Sequence, residues 1–405
     1  MPKTNQRTSG RPFKVNTLIK TLMISGLLLI VVFVAAKSFG ADTFTVLGDA
    51  ISSFFGSARD WDQPYGLNYE DVIDMKPYGS GLAVLTNTEV IYIDSSSNVK
   101  DRRSHNYKAP AMKIEGARLL LFDRQSEDYR IEKDSGIVFD SSAESTIITA
   151  EIGKRGRCAI AHRGDYATSV LSVYNSVNEL IFKWSCEKEH IVDIALSDNG
   201  KRVAVAVLGA KDGEIYSKLF VFDIRYKDPI AVFEFDGVSL FSVEYKGGKR
   251  FAAAGDSLLC FVNGDKKEDV KTYSPYELCG YSPIKKGISA LCLSKYGNTS
   301  DNEITVFDKK GRAIYDTTVK EKVRHFSASE HYVSVLLPDR AESFNKKGEK
   351  VANIITDSDG IKIVQNGSSL YILTREGILK HHVPSGKVYN DVEDSINSVE
   401  SEDNA

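Results

Sequence analysis

Residue types that could perform chemistry are present, but their spacing does not assemble a catalytic or metal site. The seven histidines form neither H-x-H nor H-E-x-x-H, the spacings that bring two imidazoles to one metal ion. His381 and His382 are neighbours on a predicted strand, so their side chains point to opposite faces. No G-x-S-x-G stretch provides a serine nucleophile. We therefore predict no catalytic residue, no metal ligand, no cofactor-binding residue and no cofactor.

Acidic residues leave two further types of chemistry to weigh. The stretch Asp357–Gly360 resembles the start of a calcium loop, but Lys362 and Ser368 stand where that loop needs glycine and glutamate. We interpret it as a turn between repeats. A pair of carboxylates for glycoside cleavage remains an open alternative, because two acids far apart in sequence can meet in a folded protein without any sequence signature.

Polar stretches between apolar runs are the best candidates for binding, because binding residues concentrate on loops. The longest such stretches are Gly209–Ser217, Gly264–Lys271 and Lys295–Asn302. The side chains that we predict as loop contacts are Lys211, Asp212, Glu214, Tyr296, Asp301 and Asn302.

Charge is distributed unevenly along the 405 residues. Residues 1–40 carry +6 and no acid, so the total of −3 leaves −9 for the rest of the chain. An acidic main body argues against a nucleic-acid partner, since binding phosphate needs a basic face. The five cysteines contain no C-x-x-C pair. Cys279 and Cys292 are predicted on neighbouring strands, where a cross-strand disulfide is an option.

The N-terminal region predicts a membrane anchor. A basic tail, 1–17, precedes the apolar segment Leu18–Lys37, whose two lysines can extend toward the membrane surfaces and lengthen its span. Basic residues before the segment predict that the N-terminus stays in the cytoplasm and the rest lies outside. A cleaved signal peptide and a buried soluble helix are the alternatives, but the span is long for the first and apolar on all sides for the second.

Three further regions follow. Residues 38–70 are predicted as a juxtamembrane helix or linker, with apolar residues such as Phe44, Leu47 and Ile51 on one helical face. Residues 71–390 form the main body. Residues 391–405 are acidic and rich in serine and asparagine, which predicts a disordered tail.

The main body consists of repeats of roughly 40 residues, a length typical of four-stranded propeller blades. Short Val-, Ile-, Phe- and Tyr-rich runs alternate with turns that contain Gly, Asn, Asp and Ser. We predict an all-β fold, a β-propeller of four-stranded antiparallel blades, with eight blades favoured and seven as the alternative. The last repeat lacks a clear fourth strand, which we expect from 41–48 or 386–392. The predicted repeat starts are Val72, Ala111, Ile147, Ile191, Leu240, Tyr276, Val323 and Ile361.

Two local motifs support a resemblance to known propellers. The turn Ser197–Arg202 is similar to the S-x-D-G-K turn of WD-like and TolB-like blades, and Val306–Gly311 is similar to quinoprotein-type repeats. As a whole, the chain resembles an uncharacterised family of Gram-positive bacterial membrane proteins with one anchor and a propeller ectodomain. This resemblance implies a fold and a topology, and no activity.

These observations give three functional hypotheses. The favoured one is a non-catalytic module at the cell envelope that binds a protein partner. The second is a receptor for a small molecule or glycan in the central channel, which a polar channel would favour and an apolar one would count against. The third is a hydrolase or lyase that acts on an envelope polysaccharide.

Overall fold

The computed structural model describes residues 63–284, 288–356 and 359–385. In these residues, 31 strands form eight antiparallel sheets, each of which is one blade of a β-propeller. A 3-10 helix, Tyr69–Asp71, precedes the first strand. Seven blades have four strands and the eighth has three. The prediction of eight blades is confirmed.

Within each blade the strands follow chain order, and the first strands of successive blades contact one another around the central channel. Blades 1 to 4 contain β1 Val72–Tyr78, β2 Gly81–Thr86, β3 Glu89–Ile93, β4 Val99–Ser104, β5 Pro110–Glu115, β6 Arg118–Asp123, β7 Asp128–Lys133, β8 Gly136–Ser142, β9 Ile147–Ile152, β10 Cys158–Arg163, β11 Ser169–Tyr174, β12 Leu180–Cys186, β13 His190–Leu196, β14 Arg202–Lys211, β15 Glu214–Asp223 and β16 Ala231–Asp236.

Blades 5 to 8 repeat this arrangement. They contain β17 Leu240–Gly247, β18 Arg250–Gly255, β19 Leu258–Asn263, β20 Lys266–Thr272, β21 Tyr276–Ile284, β22 Ile288–Lys295, β23 Asn298–Phe307, β24 Ala313–Val319, β25 His325–Ala328, β26 Val333–Leu336, β27 Arg340–Phe344, β28 Lys350–Ile355, β29 Lys362–Asn366, β30 Ser369–Thr374 and β31 Gly377–His382.

The hydrophobic core lies between neighbouring blades. Every residue of β2 is buried, as expected for a strand covered on both faces. Between blades 4 and 5, for example, Leu219 packs in one cluster with Phe251 and Cys260. Each blade is therefore stabilised mainly by the apolar surface that it buries against its neighbours.

Asparagine and aspartate close the turns after the third strands, as predicted. Asp308 Oδ1 accepts the backbone N–H groups of Lys310 at 2.8 Å and Arg312 at 3.0 Å. Gly311 follows with φ +84°, a conformation that glycine adopts without steric cost. The same pattern recurs around Asn345.

Ring closure joins blade 8 to blade 1. Tyr65 and Ile378 exchange two backbone hydrogen bonds, of 2.8 and 3.0 Å, at the free edge of β31. Behind this pair, Met75 and Ile91 of blade 1 pack with Tyr371 of blade 8 in one apolar cluster. Closure thus pairs part of the edge that a three-stranded blade would otherwise expose.

The described part of this closure involves a residue that the sequence prediction did not single out. Tyr65 lies in neither 41–48 nor 386–392, and it belongs to the predicted linker 38–70. That linker therefore contributes to the ring at its C-terminal end. Residues 41–48 and 386–392 lie outside the described residues.

The predicted tail 1–17, the anchor Leu18–Lys37 and the tail 391–405 also lie outside the described part of the chain. Within that part, no helix has the length and apolar character needed to cross a membrane.

Cys279 and Cys292 lie on neighbouring strands, as predicted, and both are free thiols. Cys279 occupies a β-bulge in β21, beside the pair formed by Gly280 and Cys292. A hydrogen bond from Cys292, against the effect of burial, lowers the pKa of Cys279.

The seam between blades 8 and 1 generates a prediction about Gly377. Its φ is +139°, and a Cβ atom built there would lie 2.1 Å from the carbonyl oxygen of Tyr65. Gly377→Ala should therefore displace Tyr65 and lower the free energy of unfolding by about 2 kcal/mol or more. Urea unfolding and hydrogen exchange of the Ile378 amide measure both effects.

Gly367→Ala is the matched control. Gly367 lies in the same blade with φ +56°, and a Cβ atom there would meet nothing within 4 Å. It should show the cost of backbone strain without faster exchange at Ile378. Equal exchange in the two variants would contradict a closing role for Tyr65.

Candidate functional site

Charged side chains gather around the central channel. They come from the first strands of blades 1 to 5 and blade 8, and eight of them, four carboxylates and four ammonium groups, take part in ion pairs. These side chains are Asp74, Lys76, Lys113, Glu151, Asp193, Glu244, Lys246 and Lys362.

These charges neutralise one another in ion pairs. Lys362 lies 2.5 Å from Asp74, which joins blades 8 and 1. Lys113 of blade 2 lies 3.2 Å from Glu151 and 3.3 Å from Asp193, so one ammonium group links three blades. The channel is polar, and its internal charges are paired.

Backbone groups continue these links around the ring. Lys76 Nζ donates to the carbonyl of Met112 at 2.8 Å, and Lys246 Nζ donates to the carbonyl of Ile288 at 2.9 Å. Each bond joins one blade to the next. These lysines therefore hold the inner strands together as well as contributing charge.

Burial and pairing shift the pKa values of these groups in different directions. Burial alone would raise the pKa of Asp74, but Lys76 and Lys362 outweigh it and lower that pKa. For Lys113, two carboxylates outweigh burial and raise the pKa. For Glu151, burial prevails over Lys113, and the pKa is raised.

A cavity of about 290 Å³ opens at one end of the channel. Its lining includes Lys113, Glu151, Asp193 and Glu244, together with Tyr245. The Tyr245 hydroxyl is buried and has no hydrogen-bond partner within the described ranges. Because that hydroxyl is inaccessible, the polar groups that the cavity presents are chiefly the charged ones.

The predicted contact residues lie on hairpins, and the predicted loops are wrong. In 209–217, β14 and β15 extend to Lys211 and Glu214, and only Asp212 and Gly213 form the turn. Both turn residues have positive φ, of +54° and +85°, as a two-residue hairpin of this type requires. Likewise, β20 begins at Lys266 in 264–271, and Tyr296–Gly297 form a two-residue turn in 295–302.

All six residues nevertheless lie on one face of the propeller. This face carries the turns between second and third strands and the connections between blades, and we call it the linker face. Lys211, Asp212 and Glu214 are exposed at a hairpin tip of blade 4. Tyr296 is 75% exposed at the corresponding tip of blade 6. Whether they bind a partner stays a prediction.

The two remaining predicted contacts are already engaged within the protein. Asp301 pairs with Lys320 at 2.6 Å. Asn302 is buried, and its amide donates to the carbonyl of Glu321 at 2.7 Å and accepts from Ser294. Asn302 thus anchors the connection from blade 6 to blade 7.

An apolar groove of about 820 Å³ surrounds Tyr296 on the linker face, between blades 5 and 6. Phe241 and Tyr276, which are 43% and 38% exposed, form its other aromatic walls. We call it the aromatic groove and define it by its lining residues, Phe241, Asp256, Ser257, Tyr273, Ser274, Pro275, Tyr276, Glu277, Leu278 and Tyr296.

Sequence analysis found only Tyr296 among these residues. The others come from the start of β17, the β18–β19 turn and the connection from β20 to β21. Contact residues were predicted from the polar composition of loops, and this criterion does not identify aromatic residues at strand ends. Aromatic residues at predicted blade connections would have been a better signal.

A family model described as a family of unknown function, DUF5711, matches residues 66–381. The chain belongs to this family. The match begins one residue after Tyr65 and spans all but the last residue of β31, so the DUF5711 region corresponds to the propeller. No curated protein matches the sequence.

Solved structures similar to this DUF5711 chain are also propellers or propeller-like proteins. BamB from Moraxella catarrhalis has a TM-score of 0.51 at 12% identity, over 79% of this chain and 98% of that one. The C-terminal WD40 domain of Sif2 has 0.56 at 11%, over 78% and 94%. The computationally designed Ika8 protein has 0.56 at 8%, over 79% and 98%. At these identities the likeness shows the fold alone.

The channel of this DUF5711 chain generates a prediction about pH. Burial, aided by Lys362, lowers the pKa of His325 to about 4, whereas an unfolded histidine titrates near 6.5. Between these values the unfolded state binds the extra proton, so stability should fall as the pH falls from about 6.5 to 4. Urea unfolding across this range measures the slope.

His325→Asn provides the comparison. Its side-chain oxygen can still accept the backbone N–H of Ile363, which His325 Nδ1 accepts at 3.5 Å, but it does not titrate. In the variant, the free energy of unfolding should decrease less steeply as the pH falls from about 6.5 to 4. An unchanged slope would contradict a buried neutral His325.

Proposed function

We propose that this chain is a non-catalytic protein-binding module, held at the outer face of the cytoplasmic membrane by its N-terminal segment and facing a partner in the cell envelope. The observation that carries the binding role is the aromatic groove on the linker face. Exposed apolar patches that are large and contiguous commonly mark interaction sites.

The composition of the groove supports a protein partner. Tyrosine and phenylalanine are enriched at protein interfaces, because they bury a large area at low entropic cost. Tyr296, Phe241 and Tyr276 extend from three different chain segments that the blades hold in place. A rigid framework that presents such side chains loses little freedom on binding.

Membrane attachment rests on the sequence. The basic tail 1–17 and the apolar segment Leu18–Lys37 predict a single span with the propeller outside. A propeller in that position would encounter envelope proteins at short range, which favours binding of a membrane or envelope partner.

A second candidate function is a receptor for a small molecule or glycan in the channel. The cavity of about 290 Å³ and its charged lining favour it. The ion pairs among the channel lysines and carboxylates count against it, because a ligand would have to compete with them.

Site-specific photo-cross-linking tests the protein-binding role. The photoreactive residue p-benzoylphenylalanine replaces Tyr296 in the full-length protein in its own membrane, and mass spectrometry identifies what is captured. We expect one dominant envelope protein to be captured, because a partner that fills the groove would lie in contact with position 296.

The control places the same photoreactive residue at Tyr226. This tyrosine is 58% exposed in the turn between β15 and β16, which lies on the opposite face. It should not capture the dominant partner. Failure to capture a reproducible partner from position 296, or location of the propeller in the cytoplasm, would contradict the proposal.

A further inference from the structure

The aromatic groove carries negative charge as well as apolar surface. Its lining contains two exposed carboxylates, Asp256 and Glu277, and no lysine or arginine. Asp256 accepts hydrogen bonds from the Ser239 N–H at 3.1 Å and the Ser257 hydroxyl at 3.0 Å, which are neutral donors. Across the described ranges, no ion pair involves either carboxylate. Both charges therefore remain available to a partner.

The nearest base in the sequence lies beside the groove, as the cross-strand partner of Tyr276. Lys295 precedes Tyr296, but it is not part of the groove lining. A hydrogen bond from Lys320, with a further contribution from Lys295, lowers the pKa of Asp301. Lys295 thus already acts on one carboxylate outside the groove, and it forms no ion pair with Asp256 or Glu277 in the described part of the chain.

Tyr273 forms the buried floor of the groove. Tyr273 lines the groove and is 2% exposed, and its hydroxyl has no hydrogen-bond partner in the described part of the chain. Burial, with the charge of Asp256, raises the pKa of Tyr273, so the hydroxyl keeps its proton. Tyr273 packs in the apolar cluster between blades 5 and 6, so its hydroxyl belongs to the interior and not to the surface of the groove.

We propose that the aromatic groove binds an extended segment of a partner protein in which an apolar side chain stands next to a lysine or arginine. The apolar side chain would pack among Phe241, Tyr276 and Tyr296. The base would pair with Asp256 or Glu277, where charge complementarity selects it. This inference rests on the proposed protein-binding function and specifies the chemistry of the partner.

Panning a phage-displayed library of random 12-residue peptides against the full-length protein in detergent tests the proposal. Enriched peptides should share an aromatic or aliphatic residue beside a lysine or arginine. One enriched peptide, labelled with fluorescein, is then titrated by fluorescence anisotropy. We expect Tyr296→Ser to weaken its binding about tenfold or more, as truncation of a central interface aromatic does.

Charge reversal gives the sharper comparison. Glu277→Lys should weaken the basic peptide several-fold and restore affinity for a peptide in which glutamate replaces the base. Tyr226→Ser and Asp228→Lys change an exposed tyrosine and an exposed acid on the opposite face, and both should bind like the wild type. Enriched peptides without a base, or equal losses in the opposite-face variants, would overturn the proposal.

If something other than a partner protein fills the aromatic groove, the cross-linking and peptide-binding experiments would give different results. Photo-cross-links from position 296 to a second copy or to residues of the same chain would overturn the proposal, because the groove would then be filled by this protein itself. A captured partner whose binding ignores Glu277→Lys would leave the protein-binding function standing and remove this inference. If neither peptide binding nor cross-linking to a partner is found, both the proposed protein-binding function and this inference would be contradicted.

Discussion

The seam between blades 8 and 1 is the interaction on which the rest of the propeller depends. At the other blade boundaries the chain itself crosses from one blade to the next, but this boundary is held by non-covalent contacts alone. Tyr65 pairs with Ile378, Lys362 pairs with Asp74, and Asn366 Nδ2 donates to the carbonyl of Gly81 at 2.9 Å. A closed ring keeps every blade covered on both sides, and opening it would expose apolar faces and strand edges together.

Closure also fixes the two places where the protein can meet other molecules. In the channel, charges such as Lys113 with Glu151 and Asp193 are already paired with one another. On the linker face, Asp256 and Glu277 stay unpaired in the described part and lie beside exposed aromatic rings. The difference in pairing is why the linker face, rather than the channel, is the stronger binding candidate.

Local patterns explain what could be predicted from the sequence. The predicted starts at Val72, Ile147, Leu240 and Tyr276 match the first residues of β1, β9, β17 and β21, because apolar runs and glycine turns are short-range signals. Features that depend on distant pairing could not be predicted in this way. Tyr65 precedes the first blade and Ile378 lies in the last one, and no local sequence pattern indicates that these two residues pair.

The aromatic groove was missed for the same reason, since it joins residues from four chain segments. The predictions of long loops were wrong for a different reason. The tips of β14 and β15 are polar because solvent surrounds them, and polar composition alone does not distinguish an exposed hairpin from a loop. Asn302 shows the converse, a polar residue whose hydrogen bonds are all used inside the protein.

Hydrogen–deuterium exchange would test the central claim, that the linker face binds a protein, most directly. Exchange is compared between the full-length protein in its native membrane and after purification in detergent. If a protein partner fills the aromatic groove, the backbone amides of 273–278 and of the Tyr296 turn should be protected from exchange in the membrane and lose that protection on purification. Equal exchange there in both states, or protection confined to the channel strands or the opposite face, would contradict it.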